Sequence, residues 1–479
     1  MMSFAWMTCC LTGKPSSGQL VGRPGGRGGG PMFIVRKGEM PPWSRRFKEA
    51  ASRLLERQGG TPFELRFWGG ERLRFGAGAP EFAVTFRTRR SLCETALRGT
   101  LGLGEAYVRR EVTFEGDLED SLAGLFQLAR SVEARLPRLV PASSSFDRGL
   151  SGVLDALRLG LLSGAARRER LAVERHYGLG NDFYPLYLDR RLQTSCGYFS
   201  SPGETLDDAQ AHKISLVARK LALRRGQRLV DLGCGWGHLM FHAAEAYGVQ
   251  CLGITLCENQ ARYIREQAAA RRLPVEVRVM SCDELEDEPR WERLVSLGSM
   301  CHAGERRIEV FYDRVKALLA PGGVCLLESV TREQESSRTD PFLQKHIFPG
   351  YWPPSLQGMA TRASARGLDV LDAENLRRHS ALTARCWRRN FLENREKIER
   401  VTGFDGAFMR TWEFYLACAA AAFRSGHLGA IQMVLANGAP RDYPLAREPL
   451  YATEEHSLRE RAPIVPAVQL SSWGAALPS

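Results

Sequence analysis

The segment VDLGCGWG, Val230 to Gly237, has the residue types and spacing to bring main chain close to a bound cofactor. Gly233 and Gly235 carry no Cβ, so the chain can bend sharply there and its backbone can approach a ligand. A dinucleotide site is the first alternative. It needs G-x-G-x-x-G and an acid at the end of the following strand. Here the third glycine, Gly237, comes one position early, His238 follows it, and GIT at 253–255 ends the next strand-like run. NAD is therefore disfavoured. The D-x-G-x-G-x-G form instead fits a pocket for S-adenosylmethionine (SAM), which has no pyrophosphate to cradle, although a purely structural bend can use the same glycines.

Other reactive side chains offer less. The twelve cysteines lie at irregular intervals without C-x-x-C, so neither a disulfide framework nor a zinc site is expected, and reduced thiols are. Cys301 and His302 are adjacent, and on a strand adjacent side chains point to opposite faces, which argues against a Cys–His nucleophilic pair. His176 and His346 read as structural or pocket-lining groups.

The elements that must position the glycine turn follow from the pattern around it. RLVDLGCGWGHLMFHAAEAYG reads as buried strand, turn and helix. Strand-like runs at 227–231, 249–254, 275–280, 293–298 and 323–330 alternate with helical segments, which implies a parallel sheet covered on both faces. Thr205, with Asp208 three residues on, caps a helix carrying Ile214, Val217 and Leu221 on one face. Upstream, FELRFWGGERLRF at 63–75 reads as a hairpin around Gly69-Gly70. The expected organisation is a Gly- and Arg-rich disordered tail at 1–39, a smaller N-terminal α+β, lipid-binding-like domain at 40–140, a linker and helix at 141–165, the main α/β domain at 166–445, and a loose tail at 446–479.

At 479 residues the chain is long enough for two or three domains. A net charge of +12 points to anionic partners or to a solvated basic surface. The arginines at 45–57 and 158–170 are candidates for contact with anionic headgroups. No run of about 18 uncharged apolar residues is present. MMSFAWMTCCLTG at the start has no basic residue before its apolar run, which argues against a secretory signal. A cytoplasmic protein, peripheral to the inner face of the membrane, is expected.

HYGLGNDFYPLYLD at 176–189, TSCGYFS at 194–200, the glycine turn, GITLCENQ at 253–260 and DPFLQKHIFPGYWPPS at 340–355 occur in this order. With LGLGEAY upstream, they resemble the cyclopropane-fatty-acyl-phospholipid synthase family, with its mycolic-acid and fatty-acyl methyltransferases, from about residue 90 to 436. The resemblance implies a seven-stranded, Rossmann-like SAM-dependent methyltransferase sheet, an unsaturated phospholipid acyl chain as substrate, and a homodimer. No nucleic acid is expected, because the Asn/Asp-Pro-Pro-Tyr type of motif for a flipped base is missing. By motif position, Tyr177, Ser195, Gly233, Gly235, Thr255 and Gln260 would line the SAM site, with Asp283 near the adenosine. Thr194 stands where many relatives carry Tyr.

Family chemistry also implies a bound bicarbonate, held by a Cys, a Glu, a His, a backbone group and a Tyr, to stabilise a cation and take a proton. Cys196 and Tyr415 match two of these positions, and Val330 takes the backbone position. Two others depart: Cys301 replaces the Glu, and Glu328 replaces the His. A thiol is a weak hydrogen-bonding group beside a carboxylate. An ionised Glu328 would repel bicarbonate by on the order of several kcal/mol in a poorly solvated site, so the usual bicarbonate pose is disfavoured. Three readings follow: Glu328 itself is the base, or methyl transfer occurs without ring closure, or SAM binds without turnover.

Overall fold

The computed structural model describes residues 60–135, 179–286, 290–305, 307–335, 339–440 and 443–451. The basic segments at 45–57 and 158–170, the linker at 141–149, His176 and Tyr177 lie outside them. The chain divides into two compact units at Leu157/Arg158.

In the first unit, β1 (Phe63–Phe67) and β2 (Arg72–Phe75) form the hairpin expected at Gly69-Gly70, with Phe63 opposite Phe75. β3 (Phe82–Phe86) runs parallel to β1, and β4 (Val112–Glu115) closes the sheet antiparallel to β3. Phe63 is buried between the rings of Phe75 and Phe82, with centroids at 4.8 and 5.1 Å. Between β3 and β4 come α1 (Arg89–Arg98) and α2 (Thr100–Val108), and α3 (Leu118–Arg135) follows β4. LGLGEAY lies on α2.

In the second unit a 3₁₀ turn at Tyr184–Leu186 precedes α4 (Leu206–Lys220), which is capped by the Thr205 hydroxyl, the acceptor of the Asp208 N–H at 3.2 Å. Alternation then builds β5 (Arg228–Leu232), α5 (His238–Tyr247), β6 (Gln250–Thr255), α6 (Glu258–Arg271), β7 (Val275–Val279), β8 (Trp291–Leu297), α7 (Ile308–Leu318) and β9 (Leu319–Thr331). After α8 (Leu356–Ser364) come β10 (Asp369–Asn375), α9 (Arg377–Glu393), α10 (Arg395–Thr402), α11 (Gly406–Ser425) and β11 (Gly429–Ala436). The seven strands lie in the order β10-β11-β9-β8-β5-β6-β7. Six run in the same direction, while β11 is antiparallel to both of its neighbours, β9 and β10.

Alternate side chains along each strand feed two cores. Val230, Leu252 and Leu327 pack towards α7 and α8, whereas Leu229, Val295 and Leu326 pack towards α4 and α5. Beyond residue 446, where a loose tail was expected, the short helix α12 (Glu448–Tyr451) buries Leu450 and takes the Arg219 guanidinium on the Leu450 carbonyl at 2.8 Å. Cys301 and His302 lie not on a strand but in a single 3₁₀ turn, Met300–His302, just after β8. The parity argument therefore does not apply to them. The Cys301 sulfur lies against the Ser329 hydroxyl.

Gly253 on β6 backs directly onto the glycine turn. A Cβ there would lie 2.6 Å from Met240 Cε and 2.7 Å from Cys234 Sγ. Gly253→Val should therefore cost about 1–3 kcal/mol by overpacking, read as a lower thermal midpoint.

Candidate active site for methyl transfer

The glycine turn leaves β5 at the C-terminal edge of the sheet, where ligands bind in open α/β folds. Its backbone is pinned from two sides. The Gly233 and Cys234 N–H groups both donate to the Ile254 carbonyl, at 2.9 and 3.0 Å. The hydroxyls of Ser296 and Ser299 donate to the Leu232 carbonyl at 2.9 and 2.6 Å. Gly233 has φ of +91°, and a Cβ on it would lie 2.4 Å from that of Ser299, so no other residue fits. A Cβ at Gly235 would meet no protein atom within 4 Å. Trp236 ties the turn to the motif upstream, donating from its indole to Asn181 at 3.2 Å.

A pocket opens at this turn. Gly233, Gly235, Thr255 and Gln260 line it, as does Thr194. Thr255 donates to Gln260 Oε1 at 2.7 Å and accepts the Cys257 N–H at 3.1 Å. It thus holds the entry to α6 while facing the pocket. Ser195 lies just behind the wall, its hydroxyl accepting from Lys213 at 2.9 Å. Asp283 is ion-paired with Arg307, while its neighbours Ser281 and Cys282 line the pocket. The combination suits SAM: polar groups from three strand ends, main chain without side chains at Gly233 and Gly235, and apolar walls at Leu232 and Ile254. His302 also lines it; burial pushes its imidazole down to about 4, so it stands neutral there.

The residues implied for the reacting end separate into three places. Cys196 and Glu328 are together: the Cys196 N–H donates to Glu328 Oε1 at 3.2 Å. Burial and the Glu328 charge push the Cys196 thiol up, so it stays protonated. Glu328 Oε2 accepts from the Gln432 amide at 2.7 Å. Cys301 lies elsewhere, its sulfur 3.0 Å from the Ser329 hydroxyl and 3.5 Å from the Val330 carbonyl. Glu328 and Ser329 are consecutive on an extended strand and so face opposite sides of the sheet. Tyr415 belongs to an aromatic group: its ring lies 5.8 Å from Phe348, which lies 5.0 Å from His302. Of this group, His302 lines the pocket. His346, also on that side of the chain, packs on Phe342 at 4.9 Å. Among the described residues no cluster could hold a metal ion.

Several polar groups here were not singled out from the sequence. Lys213 and Lys220 on α4 and Gln432 on β11 are buried. Asp231, the acid of the glycine motif, is buried as well, and burial raises its carboxyl to about 7. The available signal was polarity out of place: a lone Gln within AIQMVLA, and lysines seven apart beside an apolar helix face.

A seven-stranded α/β sheet with this turn and pocket defines a SAM-dependent methyltransferase. The mycolic acid cyclopropane synthetase family matches residues 165–433, and a domain of unknown function matches residues 50–135. The chain belongs to the mycolic acid cyclopropane synthetase family. It is 30% identical to a tuberculostearic acid methyltransferase of Mycobacterium tuberculosis, over 81% of this chain and 91% of that protein. It is 28% identical to the cyclopropane-fatty-acyl-phospholipid synthase of Escherichia coli, over 73% of this chain and 86% of that one. A crystal structure of a mycolic acid cyclopropane synthase complexed with SAH and CTAB superposes with a TM-score of 0.53, at 31% identity, covering 56% of this chain and 98% of that one. The cofactor is SAM.

Two outcomes follow from this geometry. Thr255→Val should weaken SAM binding about 5–10-fold, the worth of one net hydrogen bond, measured by calorimetric titration. Asp231 has a folded pKa above the unfolded value near ~3.9. Its ionisation therefore opposes folding progressively as pH rises from about 4 to about 7. Without SAM, Asp231→Asn should gain stability relative to the parent over that interval, seen in denaturant unfolding at each end.

Proposed function

We propose that this methyltransferase acts on the double bond of an unsaturated phospholipid acyl chain, with Glu328 as the resident carboxylate that serves the second half of the reaction. The observation that supports this most is the Glu328 side chain itself. It is buried, and its two oxygens accept from the Cys196 N–H and the Gln432 amide. A carboxylate has about four lone-pair sites, so two remain after these bonds. No bicarbonate is required in this reading, and its charge would be opposed by Glu328.

Bound SAM supplies an electrophilic methyl group on a sulfonium. An alkene is a poor nucleophile, so the residues act by positioning and by charge. The aromatic side formed by Phe348, Tyr415 and His302 keeps water from the cation left when the alkene π pair takes the methyl group. The negative charge of Glu328 stabilises that cation. Glu328 then accepts a proton from the new methyl group, and the C–H electron pair closes the three-membered ring.

A second reading, methyl transfer without ring closure, draws support from Cys301. Its thiol is committed to Ser329 and Val330, so no second carboxylate stands there. Substrate access fits a protein held at an anionic membrane surface on the cytoplasmic side. No helix among the described residues is long and apolar enough to cross a membrane, and the +12 charge supplies the attraction. A homodimer is part of the same proposal.

Incubation with methyl-labelled SAM and unsaturated phospholipid vesicles, followed by mass spectrometry of the fatty acids, tests the reading and separates ring from branch. Glu328→Gln should lower turnover about 10²–10⁴-fold, the usual contribution of a general base, with SAM affinity retained. Undiminished turnover would remove Glu328 from the mechanism.

A further inference from the structure

Glu328, Gln432 and Glu374 stand directly opposite one another on β9, β11 and β10. Their side chains therefore form one row across the sheet, on a single face. Over it lies α4, with Lys213 and Lys220 seven residues apart and so on the same side of the helix. Both lysines are fully buried, at 0% exposure. A buried ammonium costs several kcal/mol unless acceptors surround it. Lys220 finds Gln432 Oε1 at 2.8 Å and the Glu374 carboxylate; Lys213 finds Ser195 Oγ at 2.9 Å and Gln193 Oε1.

Donor and acceptor counting then fixes the middle of the row. An ammonium has three donors and no acceptor, so Gln432 must turn its carbonyl oxygen to Lys220. Its NH₂ is left facing Glu328, and it donates there at 2.7 Å. The opposite amide orientation would set NH₂ against ammonium and oxygen against carboxylate. With the Cys196 N–H on the other oxygen, both Glu328 oxygens face donors. Hydrogen bonds to the charged form favour that form.

We propose that Lys220, acting through Gln432, is a positioning residue that holds Glu328 as a carboxylate ready to take a proton. The proposal rests on the reading of Glu328 as the base. Every charged or titratable group near the row enters the balance. Facing Glu328 are the Cys196 thiol and the Lys213 amine, whose protonation burial opposes and the neighbouring carboxylates Glu328, Asp189 and Asp231 favour. Around Glu374 stand the hydroxyls of Tyr198 and Tyr451, with Asp372, His379, Glu204, Arg378 and Arg219 beyond. Lys220 differs from all of these in touching the amide that touches Glu328. Losing it frees Gln432 to flip and removes a cation, and both changes favour a protonated Glu328.

The test uses the full chain and two readouts. Difference infrared spectra of each form against its Glu328→Gln counterpart titrate the Glu328 carboxyl itself, without turnover. Labelled-methyl transfer into unsaturated phospholipid vesicles gives the pH–rate profile. Lys220→Met should move the Glu328 carboxyl band and the acid limb of the rate profile together to higher pH, so that activity returns there. Gln432→Met removes the donor from the other side, should shift both the same way, and replaces Lys220→Met if that variant fails to fold. Lys220→Arg keeps a donor-only cation and should titrate as the parent does. An unmoved Glu328 titration in either folded Met variant overturns the proposal, as would an equally large shift in Lys220→Arg. If Glu328→Gln alone keeps full turnover, the base reading falls, and the infrared titration still decides the role of Lys220.

Discussion

The structure depends on one reversal. Strand β5 ends at Leu232 and the next helix starts at His238, so the chain turns within five residues at the C-terminal edge of the sheet. Only backbone without a Cβ can pass Ser299 at that distance and keep φ at +91°. Because the Gly233 and Cys234 N–H groups are tied to β6 and the Leu232 carbonyl to Ser296 and Ser299, the turn cannot shift without moving its neighbours. Pocket, cofactor contacts and the approach of the NDFYP segment through Asn181 are all set from it.

A second constraint runs beneath the site. Placing Glu328 and two lysines where water is excluded would be unfavourable for each alone. It becomes tolerable because strand register brings Glu328, Gln432 and Glu374 into line and α4 supplies donors from above. The sheet thereby serves as scaffold and as solvent: hydrogen-bonding groups held in fixed orientation replace the water that would otherwise stabilise these charges. The same arrangement explains why Cys301 does not join Glu328. Its partner is Ser329, one residue along and on the other face of β9.

Much of this was legible along the chain, and the reason is locality. The hairpin at Gly69-Gly70, the Thr205 cap and the strands at 228–232, 250–255 and 275–279 each follow from residues within a few positions of one another. Where locality fails, so does the pattern. β10 is an edge strand with little burial, so its alternation is faint. β11 is buried along nearly its whole length, and a short apolar run of that kind reads equally as strand or buried helix. The strand ends at Leu297, and the 3₁₀ turn at Met300–His302 that follows takes Cys301 and His302 out of any strand parity. The helix at 448–451 is held by burial of Leu450 and by Arg219, more than two hundred residues away in sequence.

What the residues alone determined is therefore the chemistry that a local motif can carry: the glycine turn, its preference for SAM over a dinucleotide, and, through ordered motifs, the lipid-methylating family. They also exposed the two departures, Cys301 and Glu328, because a substitution is visible wherever the motif around it is intact. Only the tertiary structure decided what those departures mean. Glu328 meets Cys196 across 132 positions and Gln432 across 104, and Lys220 meets Gln432 across 212. Such contacts are created by strand order and helix placement, which no local spacing encodes.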